Sequence, residues 1–228
     1  MSDDLKAAVG RAAAALVEDG MTLGLGTGST TAFALQEIGR RIRENGLRVR
    51  GVPTSFAAER LARQHGIPLT SFEETPSLDL ALDGADEVSP SLDLVKGRGA
   101  AMTREKIVAA QAARFVVLVD ASKRVPRLGT KMPVPVEVLP MAVTPVAAIL
   151  EALGATVAVR EGSGKDGPVV TDQGLWILDA SFDGGLTDPA ITAAAIKIVP
   201  GVLDHGLFVG MATDVLVASP EGIEHLTR

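Results

Sequence analysis

Two periods of apolar residues alternate along the first 130 positions of the chain. Short apolar runs predict buried strands at 21–26, 47–54, 78–83, 92–95 and 115–120. Apolar residues at helical spacing predict helices at 5–17, 30–43, 56–65 and 103–114. Strands that alternate with helices and are apolar on both faces indicate a mostly parallel sheet covered by helices on both sides. The sequence therefore predicts an α/β domain.

The order of elements changes beyond residue 130. Strand patterns and helical patterns follow as strand, helix, strand, strand, helix, strand, at 134–140, 143–153, 156–160, 175–181, 188–199 and 205–210. This order is typical of a ferredoxin-like α+β domain. A further apolar run at 213–219 is expected to return to the first sheet. We therefore predict one domain formed by 1–130 with 207–228, and an inserted ferredoxin-like α+β domain at 131–206.

Composition narrows the class of protein. Hydrophobic residues make up 46% of the 228 residues, enough for a packed core. Cysteine is absent, which excludes disulfides and thiolate metal sites and favours a reducing, cytoplasmic setting. The net charge is -6 without a basic stripe, and no apolar run has the length of a bilayer span, so we expect neither nucleic acid nor membrane as a partner. Charges scattered through 1–20 indicate an amphipathic helix, not a secretory signal.

The stretch "LGLGTGSTT" (23–31) places a glycine-rich turn between a predicted strand and a predicted helix. Gly28, Ser29 and Thr30 lie where the first N–H groups of the helix have no partner inside it, which suits an anion such as phosphate. The spacing fits neither the dinucleotide fingerprint nor a Walker loop, because the required third glycine and the lysine are missing. An ordinary turn capped by a hydroxyl is the alternative.

Charged residues gather at the ends of successive predicted strands in "LALDGADEVSPSLDLVKGRGAAMTREK" (80–106). Asp83 ends one strand and Asp86 follows it; Lys96 ends the next strand, and Glu105 begins a helix. Ligands of open α/β sheets bind at the carboxyl ends of strands, where such groups could serve acid–base chemistry. The alternatives are that the aspartates only form turns and that Glu105 only stabilises the helix N-terminus.

"VDASK" adds Lys123 at a third strand end, either to neutralise a phosphate or as a solvated loop lysine. Asp83, Asp86 and Glu87 could hold Mg²⁺ through their carboxylates. The three histidines are scattered without the spacing of a zinc site, and Lys96 offers a positive charge in place of a cation. We therefore predict no metal.

Seven motifs resemble those of a known family, ribose-5-phosphate isomerase, type A, and come in the family's order: GLGTGST, DGADEV, KGRGAAMTREK, DASK, PVEVLP, TDQG with ILD, and PGVLDHGLF. They span nearly the whole chain. The resemblance implies a Rossmann-like sheet domain with a smaller α+β domain. It also implies an isomerase of the non-oxidative pentose phosphate pathway that interconverts ribose 5-phosphate and ribulose 5-phosphate, without metal or cofactor, as a homodimer or homotetramer.

The resemblance also implies roles for particular residues. Glu105 is implied as the base that moves a proton between C1 and C2, and Lys96 as the cation beside the developing enediolate. Asp83 and Asp86 match the acidic pair tied to ring opening and hydroxyl protons. Arg98 departs from the family's run of glycines, which leaves the shape of that turn in question. The implied substrate contacts are Lys6, Thr27, Gly28, Ser29, Thr30, Gly84, Ala85, Gly97, Arg98, Gly99 and Lys123.

Two other function classes stay open from the sequence. A sugar-phosphate sensor would keep the phosphate turn without needing Glu105, although it would normally carry a DNA-binding module, for which no basic pattern is present. A sugar-phosphate deaminase or an acyl-CoA transferase on a similar fold is the other class.

Overall fold

The computed structural model describes residues 2–164 and 166–228. In chain order the helices and strands are α1 (Asp3–Ala14), β1 (Thr22–Leu25), α2 (Ser29–Asn45), β2 (Arg50–Pro53), α3 (Phe56–Gln64), β3 (Leu78–Gly84), β4 (Glu87–Val88), β5 (Leu94–Val95), α4 (Met102–Ala110), β6 (Ala112–Asp120), β7 (Val134–Val138), α5 (Val143–Ala152), β8 (Ala155–Val159), β9 (Trp176–Phe182), α6 (Pro189–Lys197), β10 (Val202–His205), β11 (Leu207–Phe208), β12 (Asp214–Ser219) and β13 (Gly222–Thr227). Two compact units are present: the first holds the residues up to Ala85 with Arg104–Arg124 and Met211–Arg228, and the second holds Asp86–Thr103 with Val125–Gly210.

The first unit is built on a six-stranded sheet of order β13-β12-β6-β3-β1-β2. All neighbouring strands are parallel except β12 and β13, which form an antiparallel hairpin. The predicted α/β sheet is therefore confirmed, and the apolar run at 213–219 does return to it as β12, beside β6. The strand β13 was not predicted.

The core of the first unit forms where α1 and α2 cover the sheet. Val9 of α1 and Leu35 and Ile38 of α2 are fully buried against strand residues such as Leu80. Burial of several such side chains stabilises the layer, at roughly 1.5–3 kcal/mol each. None of the helices formed by the described residues has the length and apolar character needed to cross a bilayer.

The second unit contains a four-stranded antiparallel sheet of order β10-β7-β9-β8. With α5 and α6 inserted along the chain, this is the predicted strand, helix, strand, strand, helix, strand order of a ferredoxin-like unit. Its core consists of side chains such as Val136, Val146, Leu178 and Ile196, all at most 1% exposed. The predicted α+β class of this part of the chain is confirmed.

The single strand predicted at 205–210 is wrong, because the chain changes sheets there. β10 ends at His205 and pairs with β7, whereas β11 pairs with β5 in a small sheet of order β11-β5-β4. Gly206 lies at the change: it donates to Pro135 O at 2.7 Å and accepts from the N–H of Lys96 at 2.8 Å. A Cβ on Gly206 would lie 2.2 Å from Lys96 O, so only glycine fits between these two strands.

The same small sheet explains why residues 86–103 group with the second unit. The sequence-based division placed them in the first domain, with boundaries at 130/131 and 206/207. Val95 of β5 pairs with Leu207 and packs with Leu128 and Val134 in a core of the second unit. A strand partner that is more than a hundred residues away along the chain, as Leu207 is, cannot be recognised from a local pattern.

A buried carboxylate joins three strands on one side of the first sheet. Asp214 of β12, 4% exposed, accepts both arms of the Arg114 guanidinium, at 2.8 Å from Nε and 2.6 Å from Nη2. The Thr213 hydroxyl donates to it at 2.7 Å, and His225 Nε2 lies 2.6 Å away. The hydrogen-bonded Arg114 guanidinium outweighs the opposing effect of burial and holds the pKa of Asp214 below its ordinary value.

Replacing Asp214 with asparagine should lower the free energy of unfolding by roughly 2–3 kcal/mol near neutral pH, because Arg114 loses its charged partner. Since the pKa of Asp214 is depressed in the folded state, this stabilisation is present above the ordinary pKa of aspartate and is lost as the pH falls below it. Urea denaturation at about pH 7 and about pH 3 measures both effects. A difference between wild type and Asp214→Asn that stays constant across this range would contradict the ionic role.

Candidate active site

Asp83 ends the central strand β3 with its carboxylate turned into the structure. The residue is 3% exposed, and its Oδ1 accepts the N–H of Thr27 at 3.1 Å and that of Gly84 at 2.8 Å. Thr27 belongs to the turn after β1, the parallel neighbour of β3. One carboxylate oxygen therefore links the ends of two adjacent strands.

Gly26 lets these two strand ends approach each other. A Cβ on Gly26 would lie 2.3 Å from Leu82 O and 2.5 Å from the carboxyl group of Asp83. Gly26 also donates its N–H to Leu82 O at 2.9 Å. No larger residue fits without moving the carboxylate, so this glycine has a steric role in the site.

Thr27, predicted as a substrate contact, has protein partners for both of its donor groups. Its N–H is donated to Asp83, and its hydroxyl lies 2.8 Å from Thr54 Oγ1 and 2.7 Å from Ser55 Oγ. Thr54 follows β2 and Ser55 caps α3 by accepting the N–H of Ala58. Neither residue was predicted, although a Thr-Ser pair directly after a strand is the same kind of signal that drew attention to 27–30.

The helix α2 begins at Ser29 without a side-chain cap. Its N-cap is Gly28, with φ +114°, and the first hydrogen bond of the helix runs from the N–H of Ala32 to Gly28 O. The N–H groups of Ser29 and Thr30 precede that bond and point out of the helix end. Gly28 and Ser29 are exposed. This end therefore offers an anion several N–H groups and the positive end of the helix dipole.

Glu105 lies in the first turn of α4, as predicted, and is only 6% exposed. Two contacts hold α4 in the first unit. Val108 packs closely on β1, because a Cβ added to Gly24 would lie 2.5 Å from Cγ1 of Val108. The Arg104 guanidinium lies 4.5 Å from the centre of the Phe56 ring. Because α4 leads into the parallel strand β6, it begins at the carboxyl edge of the sheet. Glu105 is therefore at the edge that also carries Asp83.

Lys123 and Lys6, both predicted phosphate contacts, lie on different elements of the first unit. Lys123 follows β6 in a 3₁₀ turn capped by Asp120, which accepts the N–H of Ser122 at 2.8 Å. Burial would raise the pKa of Asp120, but hydrogen bonds from Ser122, aided by the charge of Lys123, lower it below its ordinary value. Lys6 lies in α1, 3.0 Å from Asp3. Lys123 is thus at the carboxyl edge of the sheet.

In the second unit, Asp86 and Lys96 flank the short ladder of β4 and β5. Val95 pairs with Glu87, so the register places Asp86 opposite Lys96, and the N–H of Asp86 donates to Val95 O at 2.8 Å. Lys96 is 3% exposed, and its Nζ lies 5.5 Å from the centre of the buried Phe208 ring. The hairpin therefore brings an acid and a buried cation to the same end.

The turn after this lysine accommodates Arg98 without strain. Gly97 has φ +107°, and a Cβ there would lie 2.9 Å from Met102 Cβ, so this position needs glycine. Arg98 has no positive φ, its side chain is exposed, and its N–H donates to Asp86 Oδ2 at 3.0 Å. Arg98 thus replaces a family glycine where the backbone does not require one, which answers the question raised by the sequence.

The carboxylate of Glu87, considered above as a magnesium ligand, accepts hydrogen bonds from the backbone of the second unit. The residue is fully buried, and its carboxylate accepts the N–H groups of Gly129, Lys131 and Met132 at 2.5, 2.6 and 2.8 Å. Among residues 2–164 and 166–228, no group of three or more His, Cys, Asp or Glu side chains is arranged to hold a metal ion.

Sequence reasoning did not single out Glu137, which is fully buried in β7. Its carboxylate accepts the hydroxyls of Thr103 and Thr171 and lies 3.4 Å from Gln173 Nε2. A glutamate inside the apolar run PVEVLP was the available signal, because a buried charge needs partners. The bond to Thr103 anchors the first turn of α4, two positions before Glu105.

Taken by unit, the predicted residues form two groups. The first unit holds Asp83, Glu105, Lys123 and the open end of α2, and the second holds Asp86 and Lys96 in a hairpin. Buried carboxylates, a buried ammonium and an anion-binding helix end define an α/β protein equipped for acid–base chemistry on an anionic small molecule.

Comparison with known proteins identifies the family. The family model of ribose 5-phosphate isomerase A (phosphoriboisomerase A) matches residues 50–222. Ribose-5-phosphate isomerase A of Thermosynechococcus vestitus is 54% identical over 222 residues, covering 95% of this chain and 94% of that protein. The Thermococcus kodakarensis protein of the same name is 47% identical over 227 residues, covering 99% of each.

Solved structures agree with the sequence comparison. The ribose 5-phosphate isomerase A of Methanocaldococcus jannaschii superposes with a TM-score of 0.96 at 45% identity, over 100% of both chains. A D-ribose-5-phosphate isomerase in complex with phospho-erythronic acid superposes with a TM-score of 0.97 at 42% identity, again over 100% of both chains. The chain belongs to the ribose 5-phosphate isomerase A family and is an isomerase. This favours the isomerase over the sensor, deaminase and transferase classes.

Replacing Gly26 with alanine should lower the free energy of unfolding by about 1–3 kcal/mol, because the added methyl group meets Leu82 O and the Asp83 carboxyl. Urea denaturation measures the change. Gly164→Ala is the matched control, since a Cβ at Gly164 has open space around it. Equal stability of the two variants would show that the close approach at Gly26 is not a constraint.

Proposed function

We propose that this protein interconverts D-ribose 5-phosphate and D-ribulose 5-phosphate through an enediolate, with Glu105 as the general base. Family membership supports the reaction. The observation that carries the base assignment is a buried carboxylate in the first turn of α4, at the sheet edge that also bears Asp83 and the anion-binding end of α2.

The reaction moves one hydrogen between neighbouring carbons. In the open-chain aldose, Glu105 takes the proton from C2, and the electron pair of the C–H bond forms the C1–C2 double bond while the carbonyl oxygen gains negative charge. The protonated Glu105 then returns the proton to C1 as the carbonyl forms at C2. A positioned carboxylate of this kind contributes about 10²–10⁴-fold to the rate. Asp83 and Asp86 are proposed to serve ring opening and to carry the hydroxyl proton between O1 and O2.

Lys96 is proposed to stabilise the enediolate oxygen. Lys96 is 3% exposed, and because the residue is shielded from water, the field of its ammonium group on a developing oxyanion is weakly screened. The turn Gly97–Arg98–Gly99 adds the backbone N–H of Gly99 beside it. With this cation in place, the proposed reaction uses no metal and no cofactor.

The phosphate is proposed to bind away from the reacting carbons, at the start of α2. Gly28, Ser29 and Thr30 offer N–H groups and hydroxyls there, and Lys123 and Lys6 supply charge. A similar structure contains phospho-erythronic acid, which carries a phosphate and a carboxylate. These are the two charges that the proposed phosphate and enediolate sites would bind. Energy from the phosphate contacts holds C1 and C2 in a reactive geometry.

The proposal also includes that the protein self-associates and works in the cytoplasm. We infer a homodimer or homotetramer, supported by exposed apolar side chains on the second unit, with Met141 89% and Ile198 81% exposed. Leu139 N–H donates to Gly201 O, which brings the segments of Met141 and Ile198 together. The lack of cysteine supports a reducing compartment.

Glu105→Gln should lower kcat by about 10²–10⁴-fold, because the amide cannot accept the C2 proton, while ribose 5-phosphate still binds. Ketose formation measures kcat, and calorimetric titration measures binding. Glu59→Gln is the matched control: Glu59 lies in the first turn of α3, and its side chain is 35% exposed. Near-normal turnover by Glu105→Gln would remove this residue from the role of base.

Lys123→Ala should raise KM for ribose 5-phosphate by about 10-fold or more, since a charge-assisted contact to phosphate is worth roughly 1.5–3 kcal/mol. The relative loss should vanish with unphosphorylated ribose as the substrate. Lys197→Ala, on the exposed side of α6, is the control. An unchanged KM would show that Lys123 does not contact the phosphate.

A further inference from the structure

The turn after Lys96 is held from a distant strand of the second unit. Arg160 follows β8, and its side chain is 15% exposed. Its guanidinium forms a fork on Asp179 of β9, with Nε 2.8 Å from Oδ2 and Nη2 on Oδ1. Ala158 pairs directly with Asp179, and strand alternation puts Arg160 on the same face of the ladder. The ion pair therefore connects the end of β8 to the neighbouring strand β9.

The remaining arm of the guanidinium reaches the turn. Nη1 of Arg160 donates to Gly97 O at 2.8 Å and to Arg98 O at 3.0 Å. A trans peptide points its C=O and N–H in opposite directions, so these bonds also direct the N–H groups of Arg98 and Gly99. The N–H of Arg98 donates to Asp86, and that of Gly99 has no acceptor within the described part of the chain.

We propose that Arg160, held by Asp179, is a positioning residue for the isomerisation. It fixes the two peptides so that the Gly99 N–H is presented to the oxygen that becomes negative in the enediolate; this rests on the function proposed above. A charged donor on each carbonyl also polarises the peptide and strengthens its N–H as a donor. Because Asp179 balances its charge, Arg160 orients donors without adding a second net cation next to Lys96.

Arg160→Lys is the decisive variant, because an ammonium keeps the charge but cannot serve the fork and both carbonyls together. We expect kcat to fall about tenfold, less than the roughly 10²–10³-fold loss when an oxyanion donor is itself removed. KM for ribose 5-phosphate should stay within about twofold, since the phosphate contacts are untouched. The inhibition constant of phospho-erythronic acid, whose carboxylate carries charge like that of the enediolate, should rise with the loss in kcat.

A purely structural ion pair would give a different result. Arg114→Lys breaks the comparable fork on Asp214 and should lower stability while leaving kcat unchanged. Wild type and Glu105→Gln, measured in the same assay, keep the two proposals apart. A wild type that does not isomerise ribose 5-phosphate contradicts the proposed function. An active wild type beside a folded Arg160→Lys with full kcat overturns only the role of Arg160.

Asp179→Asn provides a second test should Arg160→Lys fail to fold. It leaves the arginine in place but removes the charge that holds it, so kcat should again fall with KM nearly constant. A folded Asp179→Asn with unchanged kcat would overturn the proposal. Loss of folding in both variants would assign the pair to the stability of the sheet and would overturn it as well.

Discussion

The close approach between the turn after β1 and the end of β3 is the constraint on which the first unit depends. Gly26 leaves room for this approach because it has no side chain. The Asp83 carboxylate then accepts the N–H of Thr27, in the turn after β1, and that of Gly84, at the end of β3. With these strand ends joined, α2 starts directly after the turn, and its first N–H groups have no partner within the helix. The hydroxyls of Thr54 and Ser55, which follow β2, form hydrogen bonds with the hydroxyl of Thr27 in the same turn. The position of the start of α2 thus depends on one glycine and one buried acid.

The second unit holds a buried lysine, Lys96, which follows a strand of the small sheet of β4, β5 and β11. Two contacts involve the lysine itself, and a third satisfies a carboxylate on the neighbouring strand β4. The Phe208 ring faces Lys96 Nζ, Gly206 fixes the lysine backbone, and Glu87 uses its charge to satisfy a neighbouring loop. Glu87 is a buried charge that is satisfied by backbone donors, and Lys96 is one that packs beside an aromatic ring, in keeping with the rule that charges retained in a core need compensating contacts.

Much of this could be predicted from the sequence, because the informative features are local. Strand and helix periods predicted the two larger sheets except for β13, and Glu105 was placed correctly in the first turn of its helix. What could not be predicted involves contacts between distant residues. The division of 205–210 at Gly206, the grouping of 86–103 with the second unit and the partners of Glu137 all depend on strands far away in the sequence. The shape of the turn at Arg98 was left open for a related reason, since backbone angles and not residue type decide where glycine is required.

The separation in sequence between Arg160 and the turn it supports has a consequence for synthesis on the ribosome. All of the residues assigned to proton transfer and phosphate binding have been translated once Lys123 is added. The backbone around Lys96, however, acquires its long-range supports only when Arg160 and then Gly206 emerge and their strands pair. A nascent chain therefore carries these side chains long before the backbone around Lys96 has all of its native contacts, which are complete only after Gly206 has been added.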